Sequence, residues 1–173
     1  MAASFSFELH DGSKCTVMYA KAAQPKGLLE TQRLAFPKPS VQIIAHDAAY
    51  DLGHIKWAVR QSWLAKDIGV MLAKRVELDL LIRIAGVSQI SDAIKIAGAK
   101  ENKPCYIIGM GAENDLKKLA NFISEKCKML DFKGNKKPLQ RFGINEKEFA
   151  VVGNDKTALL LAEKGLLAVV EKL

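Results

Sequence analysis

The segment Glu77–Lys103, ELDLLIRIAGVSQISDAIKIAGAKENK, constrains the fold most, because it is dense in apolar residues and is broken by glycine at two points. Four apolar residues have the i, i+3, i+4, i+7 spacing of one helical stripe: Ile90, Ala93, Ile94 and Ala97. A serine oxygen satisfies an orphan N–H at a helix start, so Ser88 is expected to cap this helix. Asp92 suits the dipole of the first turn, and Gly98 is expected to end the helix in the left-handed conformation. The pattern predicts a short amphipathic helix from Ser88 to Ala97.

The preceding segment, Met71–Ala85, supports two interpretations. Apolar residues at positions 76, 78, 80, 82 and 84 alternate with mostly charged residues, which is a strand pattern. Apolar residues also recur every four positions from Leu72 to Ile84, and Gly86 could stop a helix. Alternation alone favours the strand. In a helix, Asp79 would pair with Arg83, four residues further on.

The composition is that of a soluble globular chain. Its 173 residues suit one domain, residues 1–173, and a hydrophobic content of 49% is enough for a sizeable core. No apolar run reaches the roughly 18 residues that suggest a membrane span, and the N-terminus lacks the regions of a secretory signal. Three scattered cysteines form no Cys-x-x-Cys pair, which indicates free thiols in a reducing cytoplasm: Cys15, Cys105 and Cys127. The net charge of +7 permits a polyanionic partner without proving one.

The other patterns predict an α/β fold, with a small mixed sheet that has an N-terminal hairpin and is packed by several helices in a single domain. The expected strands are Phe5–Leu9, Cys15–Tyr19, Val41–Ala45, Cys105–Ile108 and an edge strand at Lys128–Phe132. The expected helices are Pro25–Ala35, a helix capped by Asp47 that runs to Lys66, Glu113–Lys126, a turn or two at Asn145–Val152, and Lys156–Lys172. Lys133–Asn145, which is rich in lysine, is expected to be a loop.

No set of residues points to catalysis. Walker, Gly-x-Ser-x-Gly and kinase motifs are absent, and the three histidines lack metal-ligand spacing. The run Ile107–Gly111 imitates part of a dinucleotide-binding turn, but Asn114 occupies the third glycine position. The chain is therefore predicted to be non-catalytic and to bind neither a cofactor nor a metal. A nucleotide-binding enzyme that uses the Gly109–Gly111 turn is the alternative.

Within the central segment, one acidic residue, Asp79, lies in an apolar run. The residues that follow it have a characteristic order: Arg83, Ala85-Gly86, Gln89-Ile90, Ala93-Ile94 and Gly98. Over about Asp79–Lys100 this order resembles the smallest globular subunits of the KEOPS complex, the kinase-binding family that includes TPRKB and its archaeal counterparts. Archaeal members carry Gly-x-Arg-Gln-Ile, whereas this chain has Ser88 at the basic position. The alanine-rich archaeal version of the preceding segment favours a helix for Met71–Ala85.

The resemblance implies a regulatory subunit that is not an enzyme. KEOPS makes the threonylcarbamoyladenosine modification of tRNA, and the chemistry belongs to another subunit. The family docks on the N-terminal lobe of an atypical small kinase/ATPase and, in archaea, recruits tRNA by its single-stranded 3′ CCA tail. The implied partners of this chain are therefore that kinase and tRNA, with no membrane and no metal.

Two surfaces are candidates for these partners. Free N–H groups at a helix N-terminus and an arginine fork both favour phosphate. The residues expected to contact tRNA are Arg83, Ser88, Gln89, Ile90, Lys95, Lys56 and Arg60. The last helix is apolar on more than one side, so the residues expected to contact the kinase are Leu166, Val169 and Val170.

Aromatic residues make up only 7% of the chain, which leaves few side chains on which bases could stack. Any contact with RNA is therefore expected to be led by the backbone and to weaken as salt rises. A generic RNA-binding protein with no kinase partner is the second alternative.

Overall fold

A computed structural model describes residues 4–170, apart from the side chains of residues 168 and 169. The chain divides into two compact units. The first unit contains the chain up to His46 together with Ala99–Phe132, and the second contains Asp47–Gly98 together with the chain from Lys133 onward.

The described residues form strands and helices with the following bounds. The strands are β1 (Ser4–Glu8), β2 (Lys14–Ala22), β3 (Ser40–Ala45), β4 (Lys103–Gly111) and β5 (Lys128–Met129). The helices are α1 (Pro25–Ala35), α2 (Leu52–Ile68), α3 (Val76–Ala85), α4 (Ile90–Ala97), α5 (Glu113–Lys126), α6 (Lys137–Arg141), α7 (Glu146–Val152) and α8 (Asn154–Val170).

The first unit is a five-stranded sheet packed by α1 and α5. The strand order is β1-β2-β4-β3, with β5 also paired to β2, and every pair is antiparallel. The predicted N-terminal hairpin is confirmed, and Gly12 occupies its turn at φ +83°. The core lies where buried strand residues such as Ile43 and Ile107 meet Leu119 and Ile123 of α5. The predicted α/β class is thus confirmed, although the sheet is antiparallel rather than mixed.

The second unit is helical among the described residues. Helix α3 packs against α2, α4 and α8. The approach of α8 requires a glycine, because a Cβ on Gly165 would lie 2.5 Å from the carbonyl oxygen of Arg83. This unit also contains a small cluster of buried apolar residues, which consists of Leu139, Ile144 and Leu161.

Three predicted boundaries in the second unit are wrong. Asp47 lies in a short 3₁₀ turn, and Asp51 caps α2 instead by accepting a hydrogen bond of 2.8 Å from the His54 N–H. The expected loop at Lys133–Asn145 contains helix α6, which begins with Pro138 in its first turn, where a missing N–H costs nothing. The last helix begins at Asn154, and its predicted end at Lys172 lies outside the described residues.

Within residues 4–170, no helix combines the length and the apolar character that crossing a membrane would need.

His54, in the first turn of α2, is a fully buried titratable group. Its Nδ1 accepts a hydrogen bond of 3.2 Å from the Tyr50 N–H, and its ring meets the Phe142 ring edge-on at 6.2 Å. Burial, and to a lesser extent the positive charge of Arg141, lowers the pKa of His54 to about 3. The folded chain therefore holds this imidazole neutral.

We expect the second unit to lose stability as the pH falls below about 6.5, where the unfolded chain takes up a proton on His54 that the folded chain refuses. At pH 5 the free energy of unfolding should be about 2 kcal/mol lower than at pH 7 from this residue alone. Urea unfolding at both pH values measures this, with His54→Gln as the control that cannot titrate. Equal pH dependence in the two proteins would contradict the expectation.

Candidate functional site

The segment with two interpretations forms a helix from Val76 to Ala85, so the strand interpretation is wrong and the helical one is confirmed. The predicted pair between Asp79 and Arg83 forms inside it. Nε of Arg83 lies 2.6 Å from Oδ2 of Asp79, and Nη2 lies 3.5 Å from Oδ1. Asp79 Oδ1 also accepts a hydrogen bond of 2.7 Å from the Leu72 N–H. Both carboxylate oxygens therefore have donors.

The expectation that Arg83 lies on a binding surface is wrong. Only 5% of Arg83 and 0% of Asp79 is exposed, so the guanidinium is enclosed with its counter-ion. Because breaking a buried pair leaves an uncompensated charge, Arg83 is not free to clamp a phosphate. The residue supports the fold beneath the candidate site.

The end of α3 is held by a second arginine, Arg141, whose structural role the sequence did not indicate. Nη2 of Arg141 donates to the carbonyl oxygens of Ile84, at 2.9 Å, and Ala48, at 2.7 Å. Gly86 then ends the helix, as the helical interpretation expected, and it does so in the left-handed conformation at φ +68°. The Phe142 ring fills the space that a Cβ on Gly86 would need. These contacts fix the direction in which the chain leaves α3.

The predicted ends of α4 differ from the structure. The helix begins at Ile90, and Gln89 is its flanking residue without a side-chain cap, so Ser88 does not cap it. The Val87 N–H donates to Ile82 O, so the turn that ends α3 extends past Gly86. Helix α4 therefore begins two residues after Ser88. Gly98 is not left-handed but extended, at φ −65° and ψ 134°, and a Cβ there would strike the carbonyl oxygen of Ile94.

The apolar stripe predicted for α4 divides between core and surface. Ala93 and Ala97 are fully buried. The isoleucines are exposed by roughly a third to a half: Ile90 36%, Ile94 52% and Ile96 37%. Gln89 and Lys95 are also exposed, and Lys95 Nζ lies 3.2 Å from Asp92 Oδ1. Helix α4 therefore presents apolar and polar side chains outward, and only small side chains face inward.

The other residues expected to contact tRNA are less accessible. Ser88 is half-buried beside α4. Lys56 and Arg60 are half-buried on α2, and the Arg60 guanidinium lies 5.5 Å from the centre of the Trp57 ring. Of the predicted tRNA residues, the structure thus gathers Ser88, Gln89, Ile90 and Lys95 on one short helix and its entry turn.

A groove of about 420 Å³ lies between the helices of the second unit. Its walls include Val87, Ile96 and Phe142, while Arg141 and Lys164 supply positive charge. From α8 it is lined by Leu167, which is 55% exposed and was not predicted. Among the predicted kinase residues, Val170 is 53% exposed and Leu166 is half-buried, while the side chain of Val169 lies outside the described part.

The run Ile107–Gly111, whose sequence resembles part of a dinucleotide-binding turn, is a strand in the structure. Gly109 and Gly111 lie within β4 and pair with Thr16 and Lys14, so no phosphate loop is formed. Gly109 leaves room for α5, because a Cβ there would lie 2.6 Å from Leu119 Cδ2 and would force that side chain to shift. The following helix begins with Glu113, whose hydrogen bonds from Lys14 and Lys117 lower its pKa to about 2. A fixed carboxylate there opposes an incoming phosphate.

Among the described residues, the other reactive groups are dispersed or buried. The described residues contain no group of three or more His, Cys, Asp or Glu that could hold a metal ion. Burial raises the pKa of the Cys105 thiol to about 11 and raises the pKa of Cys15 as well, so both stay protonated and unreactive.

The geometry thus defines an α/β chain whose helical unit offers an exposed helix and a basic-rimmed groove. No family model matches the chain. Over 52 residues it is 44% identical to the KEOPS complex subunit Cgi121 of Pyrococcus abyssi (strain GE5 / Orsay). The matched part covers 30% of this chain and 30% of that protein, so the similarity spans about a third of the relative's length.

We predict that Arg83→Met lowers the free energy of unfolding by about 3 to 5 kcal/mol, because Asp79 is left buried without its counter-ion. The double variant Asp79→Asn, Arg83→Met should recover part of this loss, since the asparagine oxygen can still accept from the Leu72 N–H without a buried charge. Urea unfolding of the three proteins at pH 7 measures both effects. An Arg83→Met variant as stable as the parent chain would contradict the structural role.

Proposed function

We propose that this chain is a non-catalytic, regulatory subunit of the KEOPS complex, which modifies tRNA to carry threonylcarbamoyladenosine. In this proposal it binds the atypical small kinase/ATPase and recruits tRNA by the 3′ CCA tail, in the cytoplasm. The single observation that carries the proposal is the 44% identity over 52 residues to a subunit of that name. The exposed surface of α4 gives the proposal a physical basis.

The tRNA contact is assigned to α4 and its entry turn. Gln89 can hydrogen-bond a base edge, Ile90 offers an apolar surface to a base, and Lys95 brings a positive charge. The exposed side chain of Lys95 (76%) supports this role. With a net charge of +7, the chain also attracts RNA from a distance. Ser88 in place of the family's arginine should make the phosphate contact weaker than in archaeal relatives.

We expect Lys95→Glu to weaken tRNA binding about tenfold at low salt and to reduce the slope of log K against log salt by about 0.7, the value for one contact with a single-stranded phosphate. Filter binding over a salt series measures both quantities. Lys118→Glu is the matched control, because Lys118 is an exposed lysine on α5 and the charge change is identical.

Binding to tRNA that lacks its CCA tail distinguishes a contact with the tail from general electrostatic attraction. The parent chain should bind the truncated tRNA more weakly than the intact one, and Lys95→Glu should then have little further effect. Equal losses from Lys95→Glu and Lys118→Glu on both RNAs would contradict the assignment to α4.

The kinase contact is assigned to the last helix. Val170 is 53% exposed on α8, and large apolar side chains that stay exposed on a helix are typical of a docking face. The groove beside Leu167 extends the apolar surface available to a partner helix. Leu166 is half-buried, so it can contribute to both the core and the contact.

Val170→Arg should abolish co-elution with the KEOPS kinase at micromolar concentration, since an arginine at an apolar contact cannot be desolvated without a partner. Gel filtration of the mixed proteins measures this. Val151→Arg is the control, because Val151 is 87% exposed on α7. Undiminished co-elution of the Val170→Arg protein, with its circular dichroism unchanged, would refute the assignment.

A generic RNA-binding protein is a second candidate, favoured by the net charge alone. It predicts RNA affinity that does not depend on the CCA tail and no kinase partner. The two experiments above therefore distinguish it from the KEOPS proposal.

A further inference from the structure

The groove in the helical unit combines apolar walls with positive charge. Among the described residues, its charged lining consists of Arg141 and Lys164, and no aspartate or glutamate lines it. Lys164, on α8, is half-buried and makes no hydrogen bond or ion pair with the described part of the chain. This ammonium group is therefore held in the groove without a counter-ion there.

Arg141 adds a guanidinium whose charge is only partly balanced. Its Nη2 donates to carbonyl oxygens, which carry no net charge, and its buried Nε has no hydrogen-bond partner among the described residues. Asp47, the carboxylate that acts on it electrostatically, also accepts a hydrogen bond of 2.8 Å from Lys137 Nζ. Burial lowers the pKa of Arg141, because water reaches its charged form poorly. An anion that entered the groove would thus meet two cations with little local compensation.

The walls of the groove suit a helix better than an extended chain. Ile96 of α4 is 37% exposed and Leu167 of α8 is 55% exposed. The lining residues come from α3, α4, α6, α8 and the turns at their ends, so no strand edge is offered. An extended segment would leave its backbone groups unpaired, whereas a helix pairs its own. Helices that enter such grooves bury apolar side chains spaced three or four residues apart.

We propose that the groove receives a helix of the partner protein that carries one aspartate or glutamate beside two aliphatic side chains. The carboxylate lies against Lys164 and Arg141, and the aliphatic side chains cover Ile96 and Leu167. This inference rests on the proposed function, because it takes the KEOPS kinase as the protein that supplies the helix. It adds the chemistry by which that helix is recognised.

The walls favour a protein over RNA as the occupant. Phe142 is the aromatic residue of the groove, and its ring already contacts the Arg141 guanidinium, at 5.1 Å, and fills the space beside Gly86. The ring therefore offers little free surface on which a base could stack. RNA also brings a charge with every nucleotide and a polar ribose, which would leave Ile96 and Leu167 without apolar cover. A helix with a single carboxylate matches both the charge and the walls.

The test is the affinity of the full chain for the purified kinase, measured without RNA by calorimetry at low and high salt. Lys164→Glu should weaken binding about thirtyfold or more, because it places like charges opposite one another. Lys164→Met keeps the length of the side chain and removes its charge, so binding should weaken about tenfold and become less sensitive to salt. Lys156→Glu is the matched control, because Lys156 is an exposed lysine about two turns earlier on α8, and its effect should stay below about threefold.

A charge exchange identifies the acidic residue of the partner. Each aspartate and glutamate on the surface helices of the kinase is changed in turn to lysine. One of these kinase variants should restore the affinity for the Lys164→Glu chain to within about fivefold of the parent pair, since the ion pair re-forms with exchanged signs. Circular dichroism confirms that each variant is folded, and Lys164→Met serves as the test if the glutamate variant is not.

The outcomes separate this inference from the proposed function. A parent chain that does not bind the kinase overturns both. If the parent chain binds, equal effects of the Lys164 and Lys156 variants overturn the inference alone, and so does a complete set of kinase variants that restores nothing. Loss of tRNA binding by Lys164→Glu with unchanged kinase binding also overturns it, and assigns the groove to RNA.

Discussion

The buried ion pair between Asp79 and Arg83 is the interaction on which the helical unit depends. Taking two charges out of water is costly, and the cost is offset only when the geometry is good and the other polar atoms are satisfied. Here the guanidinium contacts both carboxylate oxygens, and the Leu72 N–H adds a donor. The pair ties the segment before α3 to the last turn of that helix. It also fixes the turn whose carbonyl oxygen approaches Gly165 on α8.

Contacts at the end of α3 position the candidate site. Arg141 bonds to the carbonyl oxygen of Ile84, Gly86 turns the chain, and α4 begins after Gln89. Helix α4 packs on α3 and buries Ala93 and Ala97, whereas its longer side chains are left at the surface. The residues predicted from the central segment therefore fall into two groups. Asp79 and Arg83 maintain the fold, while Gln89, Ile90 and Lys95 can meet a partner.

Much of the fold could be predicted from local patterns. The hairpin, the helix at Pro25–Ala35 and the helix at Glu113–Lys126 follow from alternation, proline placement and apolar spacing, which act within a few residues. The secondary structure of residues 76–85 was harder to predict, because the apolar residues there fit both the period of a strand and the period of a helix. The i, i+4 pairing of Asp79 with Arg83 forms only in the helix.

The errors at the site arose where tertiary contacts decide the outcome. Periodicity identified a stripe on α4, but it could not show that the alanines would take the inner positions and leave the isoleucines outside. It also could not show that Arg83 is enclosed, since arginine is usually a surface residue. Arg141 was missed because its role depends on carbonyl groups far away in the sequence, at Ala48 and Ile84.

Capture of the tagged full chain from the cells that make it, with identification of the co-purifying proteins by mass spectrometry, tests the central claim most directly. The claim is that this chain acts as a binding subunit of KEOPS and does no chemistry itself. The account predicts recovery of the small KEOPS kinase in near-stoichiometric amount. Efficient capture of the folded chain without that kinase would contradict it.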